Sequence, residues 1–367
     1  MTEPLPHQSI VVVLGTRPEI VKLAGVVREL GSAARVVHTG QHYDANLSDV
    51  FFEEFGMQPP DVRIEIGGET RGTQIGLAVA ALDAEFAANP PATVVVQGDT
   101  NTAVAGALAA NAGNIPLAHV EAGLRSFDRR MPEEHNRIVA DHLADLCLAP
   151  TLVAAANLRN EGVPDERIEV TGNTVIEAVA RLLPSREARW EILARHGLAS
   201  SQYVLATFHR PENVDEPGRL EEILRQLGGL PVPVLLPIHP RTVARVTEFG
   251  LDPLLDEIIT TEPIGYRDFL ALGAESALLI SDSGGVQEEV SAYKRPVVVV
   301  RRSTERPEVV GSFAELVEPG PAIGEVAERW LNNLTAVHSG LATLPSPYGD
   351  ETAPRRSAAA ITELARG

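Results

Sequence analysis

Residues 281–289 have the composition of a phosphate-binding turn. Their sequence, Ser-Asp-Ser-Gly-Gly-Val-Gln-Glu-Glu, follows a short apolar run and opens a predicted helix. The two glycines would let a ligand approach the backbone, and the unpaired N–H groups at a helix start favour an anion. Glu288 and Glu289 follow within two turns, in reach of sugar hydroxyls. The segment therefore predicts a site for a nucleotide diphosphate, although a structural turn with Ser283 as N-cap would use the same residues.

Three carboxylates are the best candidates for acid–base chemistry. Asp99 and Glu121 each follow a predicted strand, and Glu133 lies in the first turn of a predicted helix. A carboxylate that directly follows an apolar strand is costly to bury without a partner, which favours a functional role for Glu121. The structural alternatives are an N-cap role for Asp99 and an exposed Glu133–Arg137 ion pair at i,i+4.

Basic residues stand at other predicted strand ends. Arg17 and Lys22 follow the first strand, His209 and His239 follow two later strands, and Arg306 belongs to an arginine-rich loop. Each could meet phosphate, and the alternative for each is a solvent-facing charge. The sequence contains neither a Gly-x-Gly-x-x-Gly turn nor a Walker A motif nor a metal-ligand spacing, so it does not support an NAD site, a P-loop or a metal centre.

The elements that must position these residues alternate between strand-like and helix-like segments along the whole chain. Strands are predicted at 10–14, 35–38, 62–66, 93–97, 117–120, 167–170, 203–208, 232–238, 257–260, 277–280 and 296–300. The pattern restarts after Pro184, which predicts two doubly wound α/β domains, at 1–178 and 179–351. Because ligands bind beyond the carboxyl ends of such strands, the expected site is a cleft between two facing domains.

Composition narrows the class of protein. The 367 residues exceed the roughly 250–300 at which single cores stop growing, which supports two domains. The net charge of -19 argues against a nucleic-acid partner, which demands a basic surface. Cys147 is the only cysteine, so no intramolecular disulfide can form, and a cytoplasmic location is expected. Neither a leader-like start nor an apolar run long enough for a membrane helix is seen.

The motifs, taken together, resemble a known family. They are, in chain order, 15–19 (Gly-Thr-Arg-Pro-Glu), 39–42 (Thr-Gly-Gln-His), 97–100 (Gln-Gly-Asp-Thr), 119–125 (His-Val-Glu-Ala-Gly-Leu-Arg), 132–134 (Pro-Glu-Glu) with 136–137 (Asn-Arg), 209–210 (His-Arg), 281–289, 304–308 (Thr-Glu-Arg-Pro-Glu) and 347–350 (Pro-Tyr-Gly-Asp). The chain resembles the non-hydrolysing UDP-N-acetylglucosamine 2-epimerases along nearly its whole length. The resemblance implies a GT-B-like pair of Rossmann-type domains with the last helix, about 352–367, packing back on the first, and it implies a homodimer.

The resemblance also implies an activity, which is interconversion of UDP-GlcNAc and UDP-ManNAc without a metal or redox cofactor. A proton leaves C2 and UDP leaves C1, and readdition to the other face of the 2-acetamidoglucal inverts C2. The implied catalytic residues are Asp99, Glu121, Glu133 and His209. The implied substrate-binding residues are Arg17, Lys22, Phe269, Ser283, Gly284, Gly285, Glu289 and Arg306, with Glu289 on the ribose and Phe269 beside uracil. Which carboxylate removes the proton stays open.

Many bacterial relatives bind a second UDP-GlcNAc as an activator. Gln41, Glu134, Arg210 and His239 match positions that line this possible allosteric site. Tyr43, Asp44 and His135 depart from the regulated pattern, and Asp44 would place a negative charge near a second diphosphate. We therefore predict hyperbolic kinetics.

Three other functions compete with this interpretation. A 2-epimerase of a modified sugar nucleotide, such as a diacetamido uronic acid, would need an extra basic residue facing C6. A GT-B glycosyltransferase would need an acceptor cleft and would yield transfer products. A catalytically silent sugar-nucleotide sensor is disfavoured, because the catalytic set is complete.

Overall fold

The computed structural model describes residues 5–41 and 51–367, and the chain divides into two compact units. The N-terminal unit comprises Met1–Ala178 together with Tyr348–Gly367, and the C-terminal unit comprises Val179–Pro347. Each unit has one parallel sheet with helices between successive strands. The α/β class with two doubly wound sheets is confirmed.

The sheet of the N-terminal unit has seven parallel strands in the order β3-β2-β1-β4-β5-β6-β7. The strands are β1 Ile10–Leu14, β2 Ala34–His38, β3 Val62–Arg63, β4 Thr93–Gln97, β5 Leu117–Val120, β6 Leu146–Ala149 and β7 Ile168–Val170. The described helices of eight or more residues are Arg17–Leu30, Arg71–Ala88, Asn101–Ala112, Pro132–Leu143, Leu152–Asn160, Val175–Leu182 and Ala353–Leu364. The central strands β1 and β4 are buried along their whole length, because helices cover both faces of the sheet.

The C-terminal unit repeats this plan with six parallel strands in the order β10-β9-β8-β11-β12-β13. The strands are β8 Val204–Thr207, β9 Val234–Pro237, β10 Ile259–Thr261, β11 Leu278–Ser281, β12 Val297–Val300 and β13 Ala314–Val317. Its helices are Arg186–Arg195, Pro211–Val214, Pro217–Gly228, Pro240–Glu248, Tyr266–Glu275, Gly284–Tyr293, Ala322–Leu331 and Leu334–Thr343. The strand order reverses between β8 and β11, as it does between β1 and β4 in the other unit. Ligands of such sheets bind beyond the strand ends at these reversal points.

The helix Ala353–Leu364 packs against the helix Arg17–Leu30 within the N-terminal unit. A Cβ atom at Gly25 would lie 2.7 Å from Pro354, so glycine is required where the two helices touch. Arg356 Nε donates a hydrogen bond to the Thr171 carbonyl at 2.8 Å, which ties the last helix to the end of β7.

The predicted strands differ from the observed ones both in strands that were missed and in strand length. Strands β6 and β13 were not predicted, because β6 contains no β-branched residue and β13 is an edge strand interrupted by Glu315. The strand predicted at 62–66 was too long, since regular pairing covers only Val62–Arg63. Beyond it, Ile64 N–H still donates to the His38 carbonyl at 2.8 Å, so the chain continues along β2 without regular strand geometry.

The single cysteine, Cys147, lies in the middle of β6 and is completely buried. Its Sγ donates to the Asp141 carbonyl at 3.5 Å. Burial, together with the charge of Asp141, raises the pKa of the thiol to about 12.

Candidate active site

Asp99 lies in the turn that follows β4, at the point where the strand order reverses. Its Oδ2 accepts hydrogen bonds from Arg137 Nε at 3.0 Å and Arg137 Nη2 at 2.7 Å, and its carbonyl accepts from Asn136 Nδ2 at 2.7 Å. The Asp99 side chain stays 29% exposed, whereas that of Arg137 is 3% exposed. A buried cation therefore holds an accessible carboxylate in one orientation.

Glu121 follows β5 and is buried. Its carboxylate pairs with the Lys22 ammonium, which is also buried, and accepts a bond from Asn173 Nδ2 at 3.3 Å. The backbone φ of Glu121 is +67°, in the left-handed region that non-glycine residues seldom adopt. Such strain is typical of functional positions. Lys22 is therefore the ion-pair partner of the buried Glu121 carboxylate, although the sequence analysis predicted that Lys22 binds the substrate.

Glu133 and Glu134, neighbours in the first turn of the helix Pro132–Leu143, point in different directions. Glu134 is buried, and its two oxygens accept bonds from Ser126 N at 3.0 Å, from the Ser126 hydroxyl at 2.9 Å and from Phe127 N at 2.8 Å. Glu134 also pairs with Arg137. Glu133 is exposed and makes no ion pair or hydrogen bond to any residue in the described ranges. The alternative Glu133–Arg137 ion pair is not seen, because Arg137 lies on Asp99 and Glu134.

Glu19 is a buried carboxyl to which the sequence gave no role. Its Oε2 accepts from Gly15 N–H at 2.9 Å and its Oε1 accepts from the Thr100 hydroxyl at 2.7 Å. It therefore joins the turn after β1 to the turn after β4. Complete burial raises the pKa of Glu19 to about 7, although the hydrogen bonds from Thr100 and Gly15 oppose the shift.

Two further predicted residues border the turn after β1. The Arg17 guanidinium lies 5.3 Å from the centre of the Phe51 ring, at cation–π distance. Gln41 Oε1 accepts from Thr102 N and from the Thr102 hydroxyl, both at 2.9 Å. Asp44 and Tyr43, on which the prediction of unregulated kinetics depends, lie outside the described residues.

In the C-terminal unit, the turn after β11 leads into the helix Gly284–Tyr293. Ser283 stands at the N-cap position but makes no side-chain cap bond, so its role as a structural cap is not observed. A Cβ atom at Gly285 would meet nothing closer than Glu289 Oε1 at 3.5 Å, whereas one at Gly284 would lie 2.7 Å from Arg306 Nη1. The helix start therefore has unoccupied space beside Gly285, and a phosphate group suits such a position.

Glu289, one turn further along the same helix, is almost fully buried. Its Oε1 accepts from the Tyr266 hydroxyl at 3.0 Å. Burial, together with the charge of Glu289, raises the pKa of Tyr266. Phe269 follows Tyr266 by three residues on the helix Tyr266–Glu275 and is half-buried, so it lies on the same helical face.

Arg306 belongs to a buried network of charges. Its Nε donates to Glu288 Oε1 at 2.6 Å, and its Nη1 pairs with Glu305. Arg301 Nη2 donates to the other oxygen of Glu305 at 2.8 Å, and Arg210 Nη2 lies 3.8 Å from Glu305 Oε1. Arg306 thus supports the wall beside Gly284 and is largely neutralised by carboxylates.

His209, after β8, is held by the buried carboxylate Asp282. Its Nδ1 lies 3.1 Å from Asp282 Oδ1, its side chain is 51% exposed, and its backbone N–H donates to the same carboxylate at 3.2 Å. Burial alone would raise the pKa of Asp282, but bonds from His209, Arg210 N and Asn213 Nδ2 lower it. His239, by contrast, is exposed and caps its own helix through a bond from Arg241 N to its Nδ1 at 3.2 Å.

The predicted residues therefore form one group in each unit. Asp99, Glu121, Lys22 and Arg17 lie at the carboxyl edge of the first sheet, and Glu133 lies one turn before the Asn136–Arg137 pair that holds Asp99. Ser283, Gly284, Gly285, Glu289 and His209 lie at the corresponding edge of the second sheet. Glu19, Asp282, Asn173 and Tyr266 were missed as partners. The only sequence signal was that Glu19 and Asp282 each lie within a quoted motif.

Two features are absent from residues 5–41 and 51–367. No group of three His, Cys, Asp or Glu side chains there has the geometry of a metal site. None of the helices there combines the length and apolarity that crossing a membrane would take.

The known proteins similar to this chain include several sugar-nucleotide 2-epimerases. The profile of the family described as UDP-N-acetylglucosamine 2-epimerase matches residues 27–362. A UDP-N-acetylglucosamine 2-epimerase of Methanococcus maripaludis is 38% identical over 349 residues, which cover 92% of this chain and 94% of that protein. A UDP-2,3-diacetamido-2,3-dideoxy-D-glucuronate 2-epimerase of Pseudomonas aeruginosa is also 38% identical, over 84% of this chain and 87% of that protein. The crystal structure of the Methanocaldococcus jannaschii UDP-GlcNAc 2-epimerase with UDP-GlcNAc and UDP superposes with a TM-score of 0.85 at 38% identity, covering 96% of this chain and 99% of that one.

Proposed function

Because the chain belongs to the UDP-N-acetylglucosamine 2-epimerase family, we propose that it interconverts UDP-GlcNAc and UDP-ManNAc by inverting C2 of the sugar. The observation that carries the proposal is the set of three carboxylates at or near the sheet edge of the N-terminal unit. Asp99 is accessible and held by Arg137, Glu121 is strained and paired with Lys22, and Glu133 is exposed. Removing a proton from carbon requires placed carboxylates of this kind.

The UDP moiety binds to the C-terminal unit. The amides at the start of the helix Gly284–Tyr293 receive the diphosphate, because this helix has no side-chain cap and Gly285 leaves room. Glu289, oriented by Tyr266, accepts the ribose hydroxyls, and Phe269 lies beside uracil. Arg306 shapes the turn, and Arg17 adds a positive charge on the diphosphate.

The reaction is an elimination followed by an addition. One carboxylate takes the proton from C2 while the C1–O bond breaks and UDP leaves with the electron pair, which gives 2-acetamidoglucal. UDP then adds back to C1 while a carboxylate returns a proton to the opposite face of C2. His209, whose Nδ1 is taken by Asp282, uses Nε2 to stabilise the leaving diphosphate.

The decisive experiment incubates the protein with UDP-GlcNAc in heavy water and follows the sugar by proton NMR. UDP-ManNAc should appear with deuterium at C2, and recovered UDP-GlcNAc should also exchange at C2. Epimerisation without deuterium at C2 would contradict the elimination. The proposed substrate would be wrong if the protein did not epimerise UDP-GlcNAc but did epimerise UDP-2,3-diacetamido-2,3-dideoxy-D-glucuronate, the compound in the name of the Pseudomonas aeruginosa relative.

The proposal includes a homodimer formed by the N-terminal unit. Three helices that pack side by side each expose a large apolar side chain, with Leu77 48%, Leu108 36% and Val139 38% exposed. Exposed apolar residues of this kind often mark an interface. Light scattering should give the mass of a dimer, which Leu77→Glu with Leu108→Glu should reduce to a monomer. Val243→Glu, at an equally exposed valine of the C-terminal unit, is the control and should leave the dimer intact.

We also propose that the enzyme does not need a second UDP-GlcNAc molecule as an activator. Glu134 already uses both oxygens on Ser126, Phe127 and Arg137, and Gln41 already accepts from Thr102. The Glu134 carboxylate and the Gln41 amide oxygen are thus already engaged within the protein, which disfavours their use by a second nucleotide. UDP-ManNAc consumption should therefore begin without a lag, and a lag abolished by a trace of UDP-GlcNAc would contradict this expectation.

A further inference from the structure

The completely buried His119, on β5, has an acceptor at each ring nitrogen. Nδ1 lies 2.7 Å from Asp141 Oδ1, and Nε2 lies 2.8 Å from the Gly98 carbonyl oxygen. A carboxylate and a carbonyl oxygen both accept hydrogen bonds only, so each nitrogen must donate. A neutral imidazole donates from one nitrogen alone, and only the doubly protonated ring satisfies both contacts.

The surroundings balance the charge of such an imidazolium. Asp141 faces it from the helix Pro132–Leu143, and Asp141 Oδ2 also lies 2.7 Å from Arg125 Nη2. Arg125 in turn donates to Glu161 at 2.7 and 2.6 Å. Burial alone would raise the pKa of Asp141, but the charges and hydrogen bonds of His119 and Arg125 lower it. The network therefore pairs two cations with two carboxylates, while the thiol of Cys147 donates to the Asp141 backbone.

The His119–Asp141 pair contacts both turns that carry proposed catalytic carboxylates. His119 holds the carbonyl of Gly98, the residue immediately before Asp99. Asp141 accepts from the N–H of Gly123, two residues after Glu121, at 3.3 and 3.2 Å. One buried ion pair thus spans the turn after β4 and the turn after β5.

We propose that His119 remains protonated on both nitrogens and acts, with Asp141, as a positioning residue that sets the separation of Asp99 and Glu121. The catalytic consequence rests on the proposed function, whereas the charge of the ring does not. Since the pair touches the turns and not the nucleotide site, its loss should reduce turnover and leave UDP affinity unchanged.

The first test measures kinetics of His119→Gln. A glutamine amide can donate at one end only and carries no charge, so one turn loses its anchor. We expect kcat for epimerisation to fall by roughly ten- to a hundredfold, the scale of a misplaced catalytic group, with KM and the Kd for UDP within about twofold. The matched control is His142→Gln, an exposed histidine 3.6 Å from Glu161 at the rim of the same network, which should keep normal kcat.

The second test uses the wild-type protein and so does not depend on any variant folding. With ¹⁵N-labelled histidine, the His119 ring should show two protonated nitrogens at pH 7, identified by their absence from His119→Gln or His119→Asn.

The outcomes separate the two proposals. A His119 ring with one unprotonated nitrogen at pH 7 would overturn the doubly protonated ring. A folded His119→Gln with normal kcat would overturn the positioning role. Wild-type protein that does not epimerise UDP-GlcNAc would overturn the proposed function and the catalytic consequence. The NMR result would then decide the charge of His119 alone.

Discussion

The helices that follow β4 and β11 start at equivalent places in two sheets of related strand order, but only one start is capped. At the start of the helix Asn101–Ala112, the Thr100 hydroxyl accepts a bond from Ala103 N at 3.0 Å. At the start of the helix Gly284–Tyr293, Ser283 makes no such bond. A capped start satisfies its own amides, whereas an uncapped one keeps them for a ligand. One topology can therefore hold the group of carboxylates in one unit and the anion site that we propose in the other.

The turns that follow β1 and β8 differ in another way, although a carboxylate binds the backbone of each. Glu19 accepts from Gly15 N–H and has a raised pKa, whereas Asp282 accepts from His209 and Arg210 N–H and has a lowered pKa. The neighbouring His209 explains the second shift, while burial explains the first. A similar backbone interaction thus gives opposite dependence on pH.

The largest expected effect tests the role of the N-terminal unit. Asp99→Asn, Glu121→Gln and Glu133→Gln should each reduce turnover by about 10² to 10⁴-fold, as expected for loss of a general acid or base. UDP affinity, measured by calorimetry, should stay within a few-fold. Because Glu133 has no described partner, its effect cannot come from a broken ion pair. Glu29→Gln, at an exposed helix position, is the control, and near-normal rates in all three variants would refute the division between the units.

Glu19→Gln tests the contrast between the two buried carboxylates. A folded-state pKa near 7, above the ordinary 4.5, means that the stability linked to Glu19 is complete below pH 4.5 and is lost as the pH rises through 7. The loss corresponds to at most about 3 kcal/mol. Urea unfolding at pH 5 and pH 8 should show that Glu19→Gln removes this loss. An equal fall in stability in the variant would assign the dependence to another group.

Gly285→Val tests the uncapped helix start. Its Cβ would meet nothing closer than 3.5 Å in the protein, so the fold should persist. The side chain would occupy the space proposed for the diphosphate, and UDP affinity should fall by about a hundredfold, equivalent to about 2.7 kcal/mol. Gly218→Val is the matched control, since it also lies at a helix start with open space. Unchanged UDP binding in Gly285→Val would place the diphosphate elsewhere.

Glu289→Ala should give the smallest effect and should separate ribose from phosphate. Loss of one charge-assisted hydrogen bond should weaken UDP by about tenfold. Pyrophosphate, which has no ribose, should bind equally well to the variant and the wild type. Equal losses for the two ligands in calorimetry would instead place Glu289 at the diphosphate.

Most of the fold could be predicted from the sequence because most of its strands are short apolar runs that contain β-branched residues. Strand β6, with the sequence Leu-Cys-Leu-Ala, lacks that signal and was missed. The candidate site was predicted as residues but not as pairs. A motif shows that Glu121 follows a strand, but the contact with Lys22, 99 positions away, depends on tertiary structure. For the same reason the sequence assigned Lys22 to phosphate and gave no role to Asp282.

The burial of Cys147 has a practical consequence. With a pKa near 12, only about 10⁻⁵ of this thiol is ionised at pH 7, and maleimides react with the thiolate. The natural chain therefore behaves toward such reagents as one without cysteine. A cysteine introduced at an exposed position, such as Leu152 or Trp190, should take up a fluorophore alone, so each unit can be given a spectroscopic reporter without first replacing the native thiol.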